Sequence, residues 1–469
     1  MRILLVNPPA DKVIATELPG HVSSEVGSFP PLGLLYLAAQ LREAGTHEVA
    51  ILDMPATGCT MEALPGRLRG QRPDLVGVTA ITHNLVGVRE VAEAVRGTLP
   101  GVPVVMGGPH VSAFPAEAAQ LPGIDFAIAG EAERSLGMLA DALEGRGDIA
   151  EVPGLSARTL SAPTPPAIYE ADLDGLVFPA RDLVRAEDYF YVLGKRATFA
   201  TIIASRGCPF RCIFCSTPRG GYRTRSPGNI VDEMEACLES GAEEIHFVDD
   251  TFNLGPRRLA EISEEILRRG VRIRWSFRGR ADGIDPEGAS LARRAGCVRM
   301  HLGVETGTAE GLELLRKGVS LAQIEQAVRL ARENRIVSVA YFIIGCPHER
   351  TERDVLETIR FAVRLRPDFA MFNILAIYPN TELFDMAVAR GLLRRDFWTG
   401  FALDPRPDFT IPLWEEHLDR DTLQRLLTRS YRAFYLRPSM VWRNLKDLGS
   451  VSELRRKVGA GLSILRGRS

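Results

Sequence analysis

Short apolar runs alternate with amphipathic helical patterns along the first 150 residues of the chain. Five runs rich in β-branched residues predict β-strands at residues 2–6, 49–53, 75–79, 102–106 and 125–129. Between the third and fourth runs, apolar residues recur at helical spacing from Val88 to Leu99, which predicts a helix with one apolar face. This regular succession of strands and helices predicts an α/β fold with a doubly wound parallel sheet.

Ligands of such sheets bind at the edge formed by the carboxyl ends of the strands. The loops that follow the predicted strands carry small and polar residues at this edge. The candidate binding residues are Asn7, Thr79, Thr82, His83, Gly107, Gly108, Gly130 and Glu131.

A second alternating series follows a proline-rich stretch over residues 151–195, which predicts an ordered linker. Six further strands are predicted at residues 201–204, 244–248, 272–277, 299–304, 337–344 and 369–377, with helical patterns between them. Six β/α units predict a closed or partial barrel, whose chemistry lies at the carboxyl ends of its strands. The domains are therefore predicted at residues 1–150 and 196–385, with a helical, basic region over residues 386–469.

Three of the seven cysteines, Cys208, Cys212 and Cys215, lie within eight positions directly after the first barrel strand. Seven cysteines are too few for a disulfide framework in a chain of this length. Three thiolates can hold three irons of a [4Fe–4S] cluster and leave the fourth iron open. A zinc site is the alternative, but it would need a fourth Cys or His, and none occurs between Cys215 and Cys237. The spacing favours the open cluster.

Charge is balanced over the chain but uneven along it. The sequence has 57 Lys and Arg against 59 Asp and Glu, so its formal charge of −2 argues against binding to nucleic acid. Residues 431–469 carry a net charge of +7, and the remaining residues carry −9. The apolar run over residues 336–347 is shorter than the ~18 residues of a membrane span. No signal peptide is predicted at the N-terminus, and a cytoplasmic protein is expected.

The C-x3-C-x2-C spacing after the first strand of a β/α barrel resembles that of the radical S-adenosylmethionine (SAM) superfamily, and the resemblance extends to about residue 383. It implies that the open iron binds SAM, which is reduced and cleaved to methionine and a 5′-deoxyadenosyl radical. Four further motifs at successive strand ends match that superfamily: VDDTF after strand two, GRAD after strand three, GVETG after strand four and GCPHE after strand five. The resemblance implies that SAM is bound by Asp249, Asp250, Arg280, Gly303, Glu305, Gly345 and Pro347.

The N-terminal domain, which opens with RILLVNPP and precedes this barrel, resembles the Rossmann-like domain of the cobalamin-binding subclass of radical SAM enzymes. The resemblance covers residues 1–385 and implies that cobalamin binds at the residues of the first carboxyl edge. Many cobalamin proteins supply a histidine to cobalt from a D-x-H-x-x-G motif. Here the comparable stretch runs from Asp53 to Gly58 with Pro55 at the histidine position, which implies base-off cobalamin. A nucleotide-type domain without a cofactor is the alternative.

The resemblance implies a radical SAM C-methyltransferase that methylates an unactivated carbon of a small molecule through methylcobalamin. The same machinery serves oxidative cyclisation, as in the anaerobic magnesium-protoporphyrin ester cyclases, and this remains an alternative. A cobalamin sensor or carrier with an inert barrel is a third hypothesis. An RNA methylthiotransferase is disfavoured because its second cysteine cluster is missing from the N-terminal domain, where only Cys59 occurs. No catalytic side chain is predicted.

The partners follow from the same hypothesis. The aromatic and basic C-terminal region favours a lipid, isoprenoid or tetrapyrrole substrate. This region could cover the barrel mouth, contact an anionic membrane surface, or form a solvated helical face. A one-electron reductant such as flavodoxin or ferredoxin is implied, and no nucleic acid.

Overall fold

The computed structural model describes residues 1–14, 27–160, 162–191, 198–217, 221–438 and 440, which form two compact units. Of these, the first unit holds residues 1–14, Ser28–Phe190 and Arg394–Ile411. The second unit holds Tyr191–Leu393 and the described residues from 412 onward, together with residue 27.

The first unit is built on a six-stranded sheet. Its strands are β1 Arg2–Asn7, β2 Glu48–Asp53, β3 Leu75–Thr79, β4 Val104–Gly107, β5 Phe126–Ile128 and β6 Leu155–Ala157. The spatial order is β2-β1-β3-β4-β5-β6, and the first five strands are parallel. The predicted doubly wound parallel sheet is therefore confirmed, and each of its five predicted strands has a counterpart.

Among the described residues of this unit, seven α-helices precede the barrel of the second unit. They are α1 Leu32–Glu43, α2 Met54–Thr57, α3 Leu64–Gln71, α4 Leu85–Thr98, α5 Pro109–Ala113, α6 Pro115–Ala118 and α7 Glu133–Leu143. The predicted amphipathic helix is α4, in which Val88, Val91, Ala92 and Val95 are fully buried along one face.

The stretch predicted as a linker, residues 151–195, is largely part of the first unit. Its β6 pairs antiparallel with β5 and extends the sheet at one edge. The guanidinium of Arg158 anchors the segment by donating to the backbone carbonyls of Ala119, Gln120 and Leu121. A three-residue edge strand is too short to produce a readable alternation of apolar and polar residues, so the surrounding prolines dominated the prediction.

The second unit is built on six parallel strands that are adjacent in chain order. They are β7 Phe199–Ile202, β8 Glu244–Phe247, β9 Arg274–Gly279, β10 Cys297–Glu305, β11 Val337–Ile344 and β12 Phe369–Ile374. Because β7 and β12 end the order without pairing to each other, the sheet is a partial β/α barrel, as predicted.

Helices follow the strands of this barrel. They are α8 Pro227–Glu239, α9 Pro256–Arg269, α10 Pro286–Arg294, α11 Ala309–Leu314, α12 Leu321–Glu333, α13 Glu352–Leu365 and α14 Glu382–Ala389. In the described part of the chain, two helices come later, α15 Phe397–Leu403 in the first unit and α16 Arg420–Tyr435 in the second.

The two faces of the barrel sheet differ in chemistry. On one face, Phe247, Trp275 and Phe277 are fully buried in the core formed with the helices. Side chains alternate between faces along a strand, so the neighbouring His246 and Ser276 project from the other face. This second face lines the inside of the barrel and is polar.

The open edge of the barrel at β12 is covered by α16. The hydroxyl of Tyr431 donates to the Phe372 carbonyl at 3.1 Å and accepts from the Phe372 N–H at 3.2 Å. The hydroxyl of Tyr435 makes the same pair of bonds to Ala370, at 2.9 and 3.1 Å. The expected C-terminal helical region is observed in α16, whereas residues 441–469 lie outside the described part. Among the described residues no helix meets the length and hydropathy of a membrane span.

Candidate functional site

The cysteine loop lies after β7, at the carboxyl edge of the barrel. Cys208 and Cys212 are partly exposed and Cys215 is exposed, whereas the other four cysteines are buried. Gly207 adopts a positive φ of 79°, and a Cβ at this position would lie 2.1 Å from the Gly221 carbonyl oxygen. Only glycine fits this turn, which brings the three thiols to a solvent-accessible loop.

Two neighbouring elements contact the cysteine loop. The Cys208 Sγ lies 3.2 Å from the Thr251 hydroxyl, in the acidic turn after β8. The Cys212 Sγ lies 3.8 Å from the carbonyl oxygen of Arg316. Burial raises the pKa of the Cys212 thiol, and the positive charge of Lys317 opposes this rise. The thiols therefore lie among residues from the turn after β8 and from the segment that follows α11.

Arg280 follows β9 and is held against the same loop. Its guanidinium carbon lies 3.4 Å from the centre of the ring of Phe210, the residue that lies between Cys208 and Cys212 in the sequence. Its nitrogens donate to both carboxylate oxygens of Asp282, at 3.0 and 3.1 Å, and to the Gly318 carbonyl at 3.3 Å. These contacts fix the direction of a buried guanidinium beside the thiols, where it could bind a carboxylate of a ligand.

Glu305 ends β10 and forms a buried ion pair with Lys317, whose Nζ donates to Oε1 at 2.6 Å. Glu305 has a positive φ of 69°, which is a strained backbone conformation for this residue type. A Cβ on Gly303 would lie 2.4 Å from Glu305 Oε1 and 2.7 Å from Lys317 Nζ. Gly303 thus makes room for the ion pair. Lys317 was missed by the sequence prediction, because no local pattern indicates that it reaches the end of β10.

The two predicted aspartates after β8 have different environments. Asp249 is buried and accepts from the Ala204 N–H at 3.1 Å and from the Ser205 hydroxyl at 2.6 Å. Burial raises the pKa of Asp249 to about 6. Its oxygens hold the start of the cysteine loop, so it supports the site without being free for a ligand. Asp250 is exposed at the same turn.

The turn after β11 is organised by Glu349. Its carboxylate accepts from the N–H groups of Gly345 and Cys346, at 2.7 and 2.9 Å, and from the Thr358 hydroxyl at 3.0 Å. Gly345 has a positive φ of 76°, and Pro347 is buried. Burial raises the pKa of Glu349 to about 7.

At the carboxyl edge of the first unit, Asn7 is level with Asp53 and Thr79 is level with Gly107. The Asn7 amide donates to one oxygen of Asp53 and the Tyr189 hydroxyl donates to the other, both at 2.9 Å. Burial raises the pKa of Asp53 despite these bonds. The aspartate of the comparable D-x-H-x-x-G stretch therefore anchors the ends of β1 and β2.

The next loops supply the other predicted residues of this edge. The Thr82 hydroxyl lies 3.2 Å from Nδ1 of His110, which is buried, while Thr82 and His83 remain partly exposed. A Cβ on Gly108 would lie 2.7 Å from the Ala80 carbonyl oxygen, so the β4 turn packs tightly on the β3 loop. The side chain of Ile81 is exposed at the same edge.

Gly130 and Glu131 form hydrogen bonds with other residues of the first unit. The Gly130 N–H donates to the Ser112 hydroxyl at 3.0 Å, and a Glu131 carboxylate oxygen accepts from the Glu170 N–H at 2.8 Å. These two residues lie after β5 on the same carboxyl edge, where they hold the 168–170 segment in place.

The residues fit the groups that the sequence predicts. The cysteines of the loop are accessible thiols without disulfide partners, as cluster ligands must be, and fixed cations and a carboxylate surround them. The edge of the first unit combines closely packed glycine turns with an exposed isoleucine beside polar groups. Such an edge can accept a flat ligand with an apolar surface and polar substituents.

Comparison with known protein families matches both units. The model described as the B12 binding domain matches residues 22–140, and the model of the Radical SAM superfamily matches residues 202–362.

Three curated relatives are similar over most of their length. The chain is 33% identical to an uncharacterized methyltransferase of Pyrococcus horikoshii over 458 residues, which cover 96% of this chain and 95% of the relative. It is 30% identical to an anaerobic magnesium-protoporphyrin IX monomethyl ester cyclase of Cereibacter sphaeroides, covering 88% and 68% of the two chains. It is 33% identical to the hopanoid C-3 methylase of Methylococcus capsulatus, covering 78% and 70%.

A solved structure is similar as well. It is the radical SAM methyltransferase TsrM of Kitasatospora setae, with a tryptophan substrate and a SAM analogue bound. The TM-score is 0.68 at 25% sequence identity, with 83% of this chain and 76% of TsrM covered.

Proposed function

Because the chain belongs to the family of radical SAM enzymes with an N-terminal cobalamin-binding domain, we propose that it methylates an unactivated carbon of a small molecule. The observation that carries this proposal is the convergence on the accessible cysteine loop of Arg280, Thr251 and the Glu305–Lys317 pair. The full-length similarity to a methyltransferase supports methyl transfer as the outcome.

The proposed ligands of a [4Fe–4S] cluster are Cys208, Cys212 and Cys215. We assign SAM to the residues beside them, with the carboxylate of SAM on Arg280 and its ammonium on Asp250. Cobalamin is assigned to the carboxyl edge of the first unit, where Pro55 replaces a histidine ligand and base-off cobalamin is expected.

When bound, the cluster and SAM supply a 5′-deoxyadenosyl radical, and methylcobalamin supplies the methyl group. The chain's own residues orient these groups. Arg280 is fixed by Asp282, so its guanidinium is preorganised for a carboxylate. Glu349 shapes the turn after β11 by accepting from two backbone N–H groups, and this turn carries the predicted SAM residues Gly345 and Pro347.

The experiment that tests the proposal uses protein reconstituted anaerobically with iron, sulfide and hydroxocobalamin. Methyl-labelled SAM and a reductant are added, and mass spectrometry determines whether the bound cobalamin acquires the label. We expect labelled methylcobalamin together with 5′-deoxyadenosine. Absence of cobalamin binding would contradict the assignment of the first unit.

Replacement of the loop cysteines provides the matched control. The triple variant C208A/C212A/C215A should form no deoxyadenosine, because the open iron site is lost. The variant C59A removes a buried thiol outside the loop and should retain the wild-type yield. Stoichiometric cleavage of SAM by the triple variant would overturn the cluster assignment.

Oxidative cyclisation is the second candidate, favoured by the similarity to the cyclase of Cereibacter sphaeroides over 88% of this chain. The labelling experiment separates the two functions. Unlabelled cobalamin with accumulating deoxyadenosine would favour the cyclase function, and a non-catalytic sensor would produce neither product.

The relatives act on a tetrapyrrole and on a hopanoid, which supports a tetrapyrrole or isoprenoid lipid as the substrate of this chain. We further propose a cytoplasmic location, a flavodoxin or ferredoxin as the electron donor, and peripheral membrane contact through the basic C-terminal region.

A further inference from the structure

The inside of the barrel carries a group of buried histidine and partly buried tyrosine side chains. His246 Nδ1 lies 2.7 Å from the Ser276 hydroxyl. His301 bridges two tyrosines, with Nε2 3.0 Å from the Tyr191 hydroxyl and Nδ1 2.8 Å from the Tyr341 hydroxyl. We call these five residues the barrel floor.

The barrel floor is electrically neutral. Burial lowers the pKa of His246 to about 3 and that of His301 well below its ordinary value, so both imidazoles are uncharged at neutral pH. Burial also raises the pKa of the Tyr191 hydroxyl. The adjacent Arg299 is compensated, because its guanidinium donates to Glu244 at 2.8 Å.

Arg278 projects from the same face above this floor. It comes two residues after Ser276 on β9, so the two side chains share a face, and it is level with His301 on β10. Its side chain is exposed, whereas His246, Ser276 and His301 are buried. Its positive charge contributes to lowering the pKa of both His246 and His301, which places it close to the floor.

Within the described part of the chain, no acceptor or carboxylate pairs with the Arg278 guanidinium. Partial desolvation raises the pKa of Asp250, while a backbone hydrogen bond and the charge of Arg278 oppose the rise. The two side chains nevertheless form no ion pair. Among the described residues, Arg278 is thus a cation on the inner face of the barrel whose guanidinium has no hydrogen-bond acceptor.

We propose that Arg278 binds an anionic group of the substrate, a carboxylate or a phosphate. A guanidinium offers a planar fork that matches either group in a bidentate manner, and the neutral floor supplies no carboxylate to occupy this fork. This inference rests on the proposed function and narrows its substrate class, because a neutral hydrocarbon would make no use of Arg278.

Arg280 and Arg278 have separate roles in this assignment. Arg280 is buried, paired with Asp282 and stacked on Phe210 of the cysteine loop. Arg278 is exposed and has no ion-pair partner in the described part of the chain. It is level with His301, which lies four residues before Glu305 at the end of β10. The first therefore lies at the SAM site and the second lies farther inside the barrel, where a substrate would be held.

The test is arginine modification of the reconstituted holoenzyme by phenylglyoxal, quantified for each arginine by peptide mass spectrometry. The probes are inorganic phosphate and benzoate, with benzyl alcohol as the neutral match and SAM as the competing source of a carboxylate. Arg272 is an exposed arginine just before β9 and serves as the internal control. We expect benzoate or phosphate to slow modification of Arg278 by about tenfold and to leave Arg272 unaffected.

Several outcomes would overturn the inference. Equal protection of Arg278 and Arg272, or no protection by either anion, would remove the anion site. Protection by SAM alone would assign Arg278 to the SAM site.

Two further outcomes would support the inference and identify the anionic group. Stronger protection by phosphate would favour a phosphorylated substrate, and stronger protection by benzoate would favour a carboxylic acid.

Variants separate this inference from the proposed function. We expect R278M to bind benzoate about tenfold more weakly than the wild-type protein does, measured by calorimetry. Its dissociation constant for SAM should stay close to that of R272M. Failure of the wild-type protein to methylate cobalamin would contradict the proposed function without affecting the protection result. Equal benzoate affinity in R278M and R272M would contradict only the role of Arg278.

Discussion

The carboxyl group of Glu349 should make the stability of the protein depend on pH. Burial raises its pKa from 4.5 to about 7, so the folded chain binds a proton that the unfolded chain has already released between these values. Stability therefore falls as the pH rises through this window, by about 1.4 kcal/mol per pH unit and by about 3 kcal/mol in all. We expect E349Q to lack this decline, measured as thermal midpoint against pH.

The difference between wild type and E349Q isolates this group from Asp249, whose pKa is also raised by burial. E357Q removes an exposed carboxylate on α13, the helix that follows the Glu349 turn, and should follow the wild-type curve. Parallel curves for wild type and E349Q between pH 5 and 7 would show that Glu349 titrates at an ordinary pH.

Sequence motifs predicted residues of this site but not the way in which they act. The motif GVETG identified Glu305 and Gly303, yet the glycine serves to accommodate the buried Lys317. Arg278 was likewise missed, because its significance depends on the neutral residues of neighbouring strands. Such pairings arise from tertiary packing and have no signature in local spacing.

At the scale of elements, α16 closes the barrel by pairing two tyrosine hydroxyls with the edge of β12. An exposed edge presents unpaired N–H and C=O groups, and these are costly or prone to association. In the variant Y431F/Y435F, the backbone groups of Ala370 and Phe372 lose their partners. We expect a loss of stability of about 1–3 kcal/mol for each hydroxyl and faster amide exchange at Ala370 and Phe372, measured by hydrogen–deuterium exchange.

The control for this pair is Y169F, which changes a half-exposed tyrosine of the first unit. Its exchange at β12 should equal that of wild type. Unchanged protection of Ala370 and Phe372 in Y431F/Y435F would mean that the apolar rings alone cover this edge.

The elements themselves were largely predictable. Strands β3 and β11 have the predicted limits. Nine of the other strands begin and end within a few residues of their predicted limits. The exception is β6, which the sequence prediction treated as linker. Long β-branched runs determine buried parallel strands through their own composition, whereas a short edge strand depends on the partner it finds.

At the scale of the whole molecule, the sequence predicted two α/β units, a doubly wound parallel sheet followed by a closed or partial barrel, because repeated β/α units allow few topologies. The division of the chain was less predictable. Residues 394–411 return to the first unit after the barrel is complete. The composition of this segment does not indicate to which unit it belongs. The predicted helical region over 386–469 therefore appeared continuous.

The uneven charge of the chain leads to a prediction for the intact protein. The last 29 residues include seven Lys and Arg and two Asp and Glu, whereas the residues before position 431 are acidic overall. Each basic residue near an anionic bilayer contributes about 1 kcal/mol. We expect co-sedimentation with vesicles that contain phosphatidylserine, no co-sedimentation with phosphatidylcholine alone, and release by salt.

Two triple variants with the same change in net charge distinguish a local surface from overall charge. R455Q/R456Q/K457Q removes three cations of the basic region and should weaken binding by about a hundredfold, since three contributions are lost. R335Q/R353Q/R360Q removes three exposed cations of the barrel and should bind as wild type does. If both triple variants bind equally weakly, net charge alone accounts for binding. If both bind as the wild-type protein does, the basic region does not contact the membrane surface.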